Sequence, residues 1–220
     1  MGSLAKIVTS LHESTRRDCI SRMNDEKVKC MQVAKEYGSE YWDGDRRYGY
    51  GGYRYIQGYW TSVAEHLIRL YNLTNQSSIL DVGCGKAFLL YELKQILPDL
   101  VVAGFDRSRY GLEDALPEVS KYVFLHDARQ AYPFSDGQFD LVVSLGCLHN
   151  LKIYDLFSSL NEIERVGREA YIMVESYRND EELFNLQCWA LTAEAFFSEE
   201  EWMWIFDHVS YTGDYEFIYF

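Results

Sequence analysis

Apolar positions follow one rule before residue 77 and another after it. Across roughly Leu4 to Tyr37 a polar background carries Val28, Met31, Ala34 and Tyr37 at helical spacing. Val63, Leu67 and Leu70 make a second stripe, in a helix that Thr61 can cap and that runs to Tyr71. From Ser77 onward, short apolar runs alternate with amphipathic stretches. "SILDVG", "LVVAGFD", "YVFLHDA", "FDLVVSLG" and "AYIMVES" read as five buried strands, and "DYEFIYF" closes the chain as another. "KAFLLYELKQIL" puts Ala87, Leu90, Leu93 and Leu97 on one side of a helix that Pro98 stops. Ser135-Asp136-Gly137 is a turn signal before the fourth strand. After it, Ile153, Leu156, Phe157, Leu160, Ile163 and Val166 recur every three or four residues. A Ser198/Glu201 capping box opens a further helix that turns Trp202, Ile205, Phe206 and Val209 inward.

Strands of this kind alternating with helices predict an α/β fold, a doubly wound, mostly parallel sheet with helices on both faces. The pattern divides the chain into an N-terminal helical segment, residues 1–76, and a sheet domain, residues 77–220. Ligands in such sheets bind beyond the carboxyl ends of the strands, near the switch point beside the first strand. The chemistry is therefore expected just after Leu80, Phe105, His126, Ser144 and Glu175.

One stretch fits neither period. "EYWDGDRRYGYGGYRYIQGYW", Glu40 to Trp60, crowds amphipathic rings onto a backbone loosened by glycines at 44, 49, 51, 52 and 58. Alone it reads as a sticky tail or as an ordered flap. Ahead of a doubly wound sheet it lies over the strand ends, and the expectation is an ordered lid that excludes water.

Composition narrows the partners. A net charge of −13 disfavours nucleic acid and anionic membrane surfaces, which call for clustered Lys and Arg. No run approaches the ~20 apolar residues of a bilayer span, and no signal-peptide pattern opens the chain. Five dispersed cysteines and five dispersed histidines give neither a disulfide framework nor metal-ligand spacing, so a cytoplasmic protein without a metal is expected.

The strand ends carry the candidate chemistry. "LDVGCGKA" sets Asp81, Gly83 and Gly85 before a helix N-terminus, where the backbone can turn sharply and approach a ligand. The third glycine of a dinucleotide fingerprint would fall at Phe88, whose ring argues against NAD. Asp106 ends the second strand about 20 residues on, placed to accept hydrogen bonds from ribose hydroxyls. Asp127 and Ala128 end the third, where a carboxylate and a backbone N–H can read an adenine edge. A nucleoside with a cation near Asp81 and no pyrophosphate loop describes S-adenosylmethionine.

In order and spacing, "LDVGCGKA", "GFDRS", "HDA" and "FDLVVSLGCLHNL" resemble the class I S-adenosylmethionine-dependent methyltransferases over about Ser77 to Glu175. Ala87 departs from the glycine usual there. The resemblance implies a Rossmann-like fold in which Asp81, Gly83 and Gly85 hold the methionine end and Asp106 the ribose. It also gives Asp127 and Ala128 to the adenine, and Ser144, Leu145 and Gly146 to the floor beneath the sulfonium. Arg107, within "GFDRS", joins the cofactor set, as do Tyr50, Arg54 and Trp60 from the lid, whose rings and guanidinium suit a sulfonium and a carboxylate. His149 is the first candidate for a general base, and Glu175, ending the fifth strand, is the second catalytic candidate. The opening segment resembles that of bacterial small-molecule methyltransferases, some near surface-polysaccharide genes. Transfer to an oxygen or nitrogen of a small acceptor, such as a sugar or polysaccharide precursor, is the expected activity. An aminopropyl transferase, a protein methyltransferase and an inactive methyltransferase-like subunit are the alternatives.

Overall fold

The computed structural model describes residues 2–15 and 17–220. Six strands form one sheet: β1 (Ser78–Val82), β2 (Val101–Asp106), β3 (Val123–Leu125), β4 (Phe139–Leu145), β5 (Gly167–Glu175) and β6 (Asp214–Ile218). Their order is β3-β2-β1-β4-β5-β6, with every neighbouring pair parallel. The sheet is thus parallel throughout rather than mostly so, because helices lie between β5 and β6 and provide the crossover that parallel pairing needs. The order reverses between β1 and β4, which opens the crevice where doubly wound sheets bind ligands.

The helices before the sheet are α1 (Thr9–Glu13), α2 (Cys19–Asn24), α3 (Lys27–Ala34), α4 (Ser39–Trp42) and α5 (Thr61–Leu70). Within and after it come α6 (Phe88–Ile96), α7 (Arg109–Glu113), α8 (Pro117–Ser120), α9 (Ile153–Val166), α10 (Asp180–Trp189) and α11 (Glu199–His208). Successive strand residues point to opposite faces. Leu80, Val142 and Ile172 accordingly pack with Leu156, Leu160 and Ile163 of α9 and Trp202 and Phe206 of α11. Ile79, Leu141, Val143 and Tyr171 pack on the other face with Val63 and Leu67 of α5 and Leu90 and Leu93 of α6. The Ser198/Glu201 capping box is formed.

Three local expectations are corrected. The stretch from Leu4 to Tyr37 is broken into short helices, and its residue 16 lies outside the described residues. Asp18 caps α2, and Glu26 turns the chain in a left-handed conformation (φ +43°) before α3. That turn rotates α3 so that Cys30 and Ala34 face inward while Val28 is 69% exposed. Thr61 does not cap α5; Trp60 holds that position, and the Thr61 hydroxyl donates to the buried Glu92 carboxylate at 2.8 Å. Leu70, expected inward, is half exposed.

The first residues are pinned to the sheet's last strand. Glu216 of β6, fully buried, accepts the N–H groups of Ile7 at 2.7 Å and Thr9 at 2.6 Å, and both the Thr9 and Tyr171 hydroxyls donate to it. Ile7 and Val8 join the core on the α5–α6 face.

Candidate active site

The loop after β1 is tied to the end of β2. The N–H groups of Gly83 and Cys84 donate to the Phe105 carbonyl at 2.9 and 3.0 Å. Gly85 N–H donates to Asp106 Oδ2 at 2.9 Å, and Ser108 N–H to Oδ1 at 2.7 Å. Gly83 (φ +80°) has no room for a side chain, since a Cβ there would meet Cys147 Sγ at 2.6 Å. Ala87 adopts φ +59°, the left-handed region that glycine would enter without strain.

Burial raises the Asp106 pKa, and the N–H bonds from Ser108 and Gly85 oppose that rise. Asp81, also buried, is pushed up to about 7 by burial and by the neighbouring Asp106 charge. A cation placed beside it restores its ionised form.

Two adjoining cavities lie over the strand ends. The narrower, about 90 Å³, is bounded by Asp106, Arg107, Asp127 and Ala128, with Tyr37, Tyr41, Trp42 and Tyr50 around it. The larger, about 480 Å³, is bounded by Asp81, Gly85, His149, Glu175, Arg54 and Trp60 among others. Gly83, Leu145, Gly146, Asn150 and Tyr50 border both. Of the residues singled out in the sequence, Ser144 alone borders neither. It is fully buried in β4, and its hydroxyl donates to the Val82 carbonyl at 3.0 Å. Asp127 is partly engaged, accepting from Arg129 Nε at 2.9 Å and from the Arg129 N–H at 3.0 Å. Arg107 is exposed, with its guanidinium 4.9 Å from the Tyr37 ring centroid.

His149 and Glu175 meet at the wall of the larger cavity. His149 Nδ1 accepts the Glu175 N–H at 3.3 Å, which assigns the ring proton to Nε2, 3.5 Å from Glu175 Oε2. The imidazole is 6% exposed and the carboxylate 20%, so Glu175 is the more accessible partner.

The aromatic-glycine stretch is an ordered strap. Trp42 is buried, and its indole N–H donates to Ser108 Oγ at 2.7 Å. Its ring stacks on Tyr50, with centroids 5.3 Å apart and planes 6° apart. Tyr53 stacks in turn on Phe88 at 5.1 Å. The Tyr50 N–H returns to the Tyr41 carbonyl at 2.9 Å, and the Gly52 and Tyr53 N–H groups to the Trp42 carbonyl at 3.0 Å. The fully buried Lys86 ammonium pairs with Asp43 and Asp114, each at 2.7 Å. At the far end the Tyr55 hydroxyl donates to Glu92 at 2.7 Å.

Several bordering residues had no counterpart in the sequence reading: Arg17, Arg22 and Trp189. Trp189 ends α10, which was not anticipated. Its start is signalled by Asn179, whose side chain accepts from the Glu182 N–H, and by three acidic residues in the first turn.

The donor set fits an adenosine carrying a cation: a carboxylate at the end of β2, a second beside two glycines, and backbone groups at Ala128. The narrow cavity alone falls below the roughly 300 Å³ of ordinary small-molecule pockets, and the adjoining cavity of about 480 Å³ shares its lining.

A family model described as "Methyltransferase domain" matches residues 73–215. The chain is 32% identical over 91 residues to a demethylmenaquinone methyltransferase of Roseiflexus castenholzii, covering 40% of this chain and 37% of that protein. It is 33% identical over 93 residues to a malonyl-[acyl-carrier protein] O-methyltransferase of Legionella pneumophila, covering 40% and 33%. The matches thus span about a third of these relatives' length. Among solved structures, a chain from the Haloferax volcanii complex of the Trm112 methyltransferase activator superposes with a TM-score of 0.55 at 17% identity, over 89% of this chain and 76% of that one. The Bacillus subtilis YcgJ protein gives 0.50 at 18%, over 66% of each. These two likenesses concern the fold.

Proposed function

The chain belongs to the methyltransferase-domain family, and we propose that it is an S-adenosylmethionine-dependent methyltransferase acting on an oxygen or nitrogen of a small-molecule acceptor. The observation that supports the reading best is that the two cavities adjoin, with Gly83, Leu145 and Gly146 lining both. One side offers nucleoside-binding groups at Asp106 and Ala128, and the other a chamber with a carboxylate–imidazole pair. S-adenosylmethionine supplies a methyl group already activated on a sulfonium. The protein's share is then alignment and exclusion of water. Asp106, Asp127 and Ala128 would hold the nucleoside and Asp81 the cationic methionine end, with Leu145 and Gly146 beneath the transfer point. Arg107, Arg54, Trp60 and Tyr50 are the further proposed contacts. Glu175 faces the acceptor and takes its proton, while His149 orients that carboxylate through Nε2–H. The strap from Tyr48 to Trp60 closes over the site. A sugar or polysaccharide precursor is compatible with a chamber of about 480 Å³.

Labelled S-adenosylmethionine incubated with the protein and a small-molecule extract tests this reading. Label should pass to a small molecule, and Glu175→Gln and His149→Ala should each cut its turnover by ~100-fold for an oxygen acceptor with cofactor affinity nearly unchanged. Label passing to protein instead would favour a peptide acceptor. Turnover within a few-fold of wild type in both variants would remove the pair from the chemistry.

A further inference from the structure

The far wall of the larger cavity holds an unusual concentration of positive charge for a chain of net charge −13. The guanidinium carbons of Arg17, Arg22 and Arg46 lie 5.6, 4.0 and 5.1 Å from the centroid of the Trp189 ring. Six other arginines (Arg47, Arg69, Arg129, Arg165, Arg168 and Arg178) have carboxylate partners. Among the described residues these three, like Arg54, Arg107 and Arg109, have none within ion-pair distance, and the Glu175 charge is the carboxylate that acts most on Arg17.

Backbone carbonyls hold them instead. Arg22 donates to the carbonyls of Arg46 at 2.6 Å, Gly49 at 3.2 Å and Trp189 at 3.4 Å. Arg46 donates to the Gly49 carbonyl, and Arg17 to those of His12 at 3.1 Å and Thr15 at 3.0 Å. Carbonyls fix the forks without neutralising them. Two buried nitrogens on the same wall, Arg17 Nε and His12 Nε2, have no hydrogen-bond partner at all. An unsatisfied buried nitrogen is destabilising, and three like charges gathered round one ring repel one another. Burial and the Arg46 charge lower the Arg22 pKa to about 10, which still leaves it charged at neutral pH. A bound anion would give Arg17 Nε an acceptor and offset the charge of the cluster.

We propose that the acceptor carries a carboxylate or phosphate group, clamped by Arg17, Arg22 and Arg46 around the Trp189 ring. The inference deepens the methyl-transfer reading and rests on it for the position of the reacting end. The sheet order separates this clamp from the cofactor's own carboxylate. Arg17 also lies 5.1 Å from the ring of Phe220, just past β6, whereas the glycines that would hold the methionine end follow β1. β6 is three strands from β1, roughly 14 Å at the usual strand spacing. Glu175 ends β5, between the two. An anion in the clamp therefore leaves the rest of the acceptor to extend past Glu175 toward Gly146.

Titration calorimetry on the full chain, with and without saturating S-adenosylhomocysteine, tests the clamp with inorganic phosphate, benzoate and the uncharged benzamide. Phosphate and benzoate should bind, benzamide at least ten-fold more weakly than benzoate. Arg17→Gln and Arg46→Gln should each weaken both anions at least ten-fold while S-adenosylhomocysteine affinity stays within two-fold. Equal binding of benzoate and benzamide, or no anion binding to the wild type, would overturn the proposal. So would an equal loss of S-adenosylhomocysteine in the variants, which would give the arginines to the cofactor's carboxylate. The wild-type comparison decides if a variant fails to fold. S-adenosylhomocysteine failing to bind would sink the methyl-transfer reading, while phosphate titrated onto the free protein would still judge the clamp.

Discussion

Replacing Trp42 should loosen the strap and the cofactor loop together. Its ring is buried, stacks on Tyr50, and lies where a Cβ on Gly85 or Gly111 would touch it, at 2.9 and 3.2 Å. Truncation to alanine removes a large core side chain, a loss of about 3–5 kcal/mol. Against a total stability of about 5–15 kcal/mol, that brings the protein near its unfolding threshold. Trp42→Phe separates packing from hydrogen bonding. It removes one N–H donor, but the Ser108 hydroxyl still donates to the Tyr37 carbonyl at 2.6 Å and accepts the Gly111 N–H at 3.0 Å. With Ser108 still satisfied, phenylalanine should cost about 1 kcal/mol. Urea unfolding measures both, with the midpoint shifting at constant slope. Because Gly85 also donates to Asp106, Trp42→Ala should weaken S-adenosylhomocysteine roughly ten-fold, about 1.4 kcal/mol. A loss of stability under 1 kcal/mol for alanine, or unchanged ligand affinity, would refute the coupling of strap to loop.

Asp81 gives a pH signature. Its folded pKa of about 7 exceeds the ordinary 3.8, so between those values the folded state holds a proton that the unfolded state has lost. Its contribution to stability must therefore fall as pH rises from about 4 to 7, and Asp81→Asn should remove that slope in urea titrations. Identical slopes in the two proteins would contradict it, and S-adenosylmethionine should bind more tightly as pH rises through 7. For the strap, hydrogen exchange across Tyr48 to Trp60 should slow when S-adenosylhomocysteine binds, with smaller changes in the central strands. Equal protection with and without ligand would make the segment a fixed wall.

The sheet was legible because strand burial imposes a strong pattern. "SILDVG" and "FDLVVSLG" bury Ile79, Leu80 and Val82, and Phe139, Leu141, Val142 and Val143, and their ends place Gly83 and Gly146. The N-terminal third was not, because its order comes from tertiary hydrogen bonds rather than periodicity. Glu216 collects the N–H groups of Ile7 and Thr9 from more than 200 residues away, and Glu92 takes the Thr61 hydroxyl that would otherwise cap α5. The arginine cluster was hidden for a related reason. Arg46 lies in the aromatic-glycine stretch, where an arginine can be read as an anion partner, but Arg17 and Arg22 sit in unpatterned sequence and join it only because α10 brings Trp189 among them. The His149–Glu175 pair was visible as two strand-end residues, but which of them faces the chamber depends on burial that spacing does not encode.

Calorimetric titration of S-adenosylmethionine onto the wild type and Asp106→Ala tests the cofactor assignment most directly. Asp106 anchors the β1 loop through Gly85 N–H and the β2 turn through Ser108 N–H, and it borders the narrower cavity. Saturable one-to-one binding should appear in the wild type, and the variant should lose about 2–3 kcal/mol, the scale of hydrogen bonds to a charged group. Circular dichroism should show both proteins folded. Wild-type protein that binds no S-adenosylmethionine, or a folded Asp106→Ala that binds it equally well, would contradict the placement of the cofactor at the end of β2.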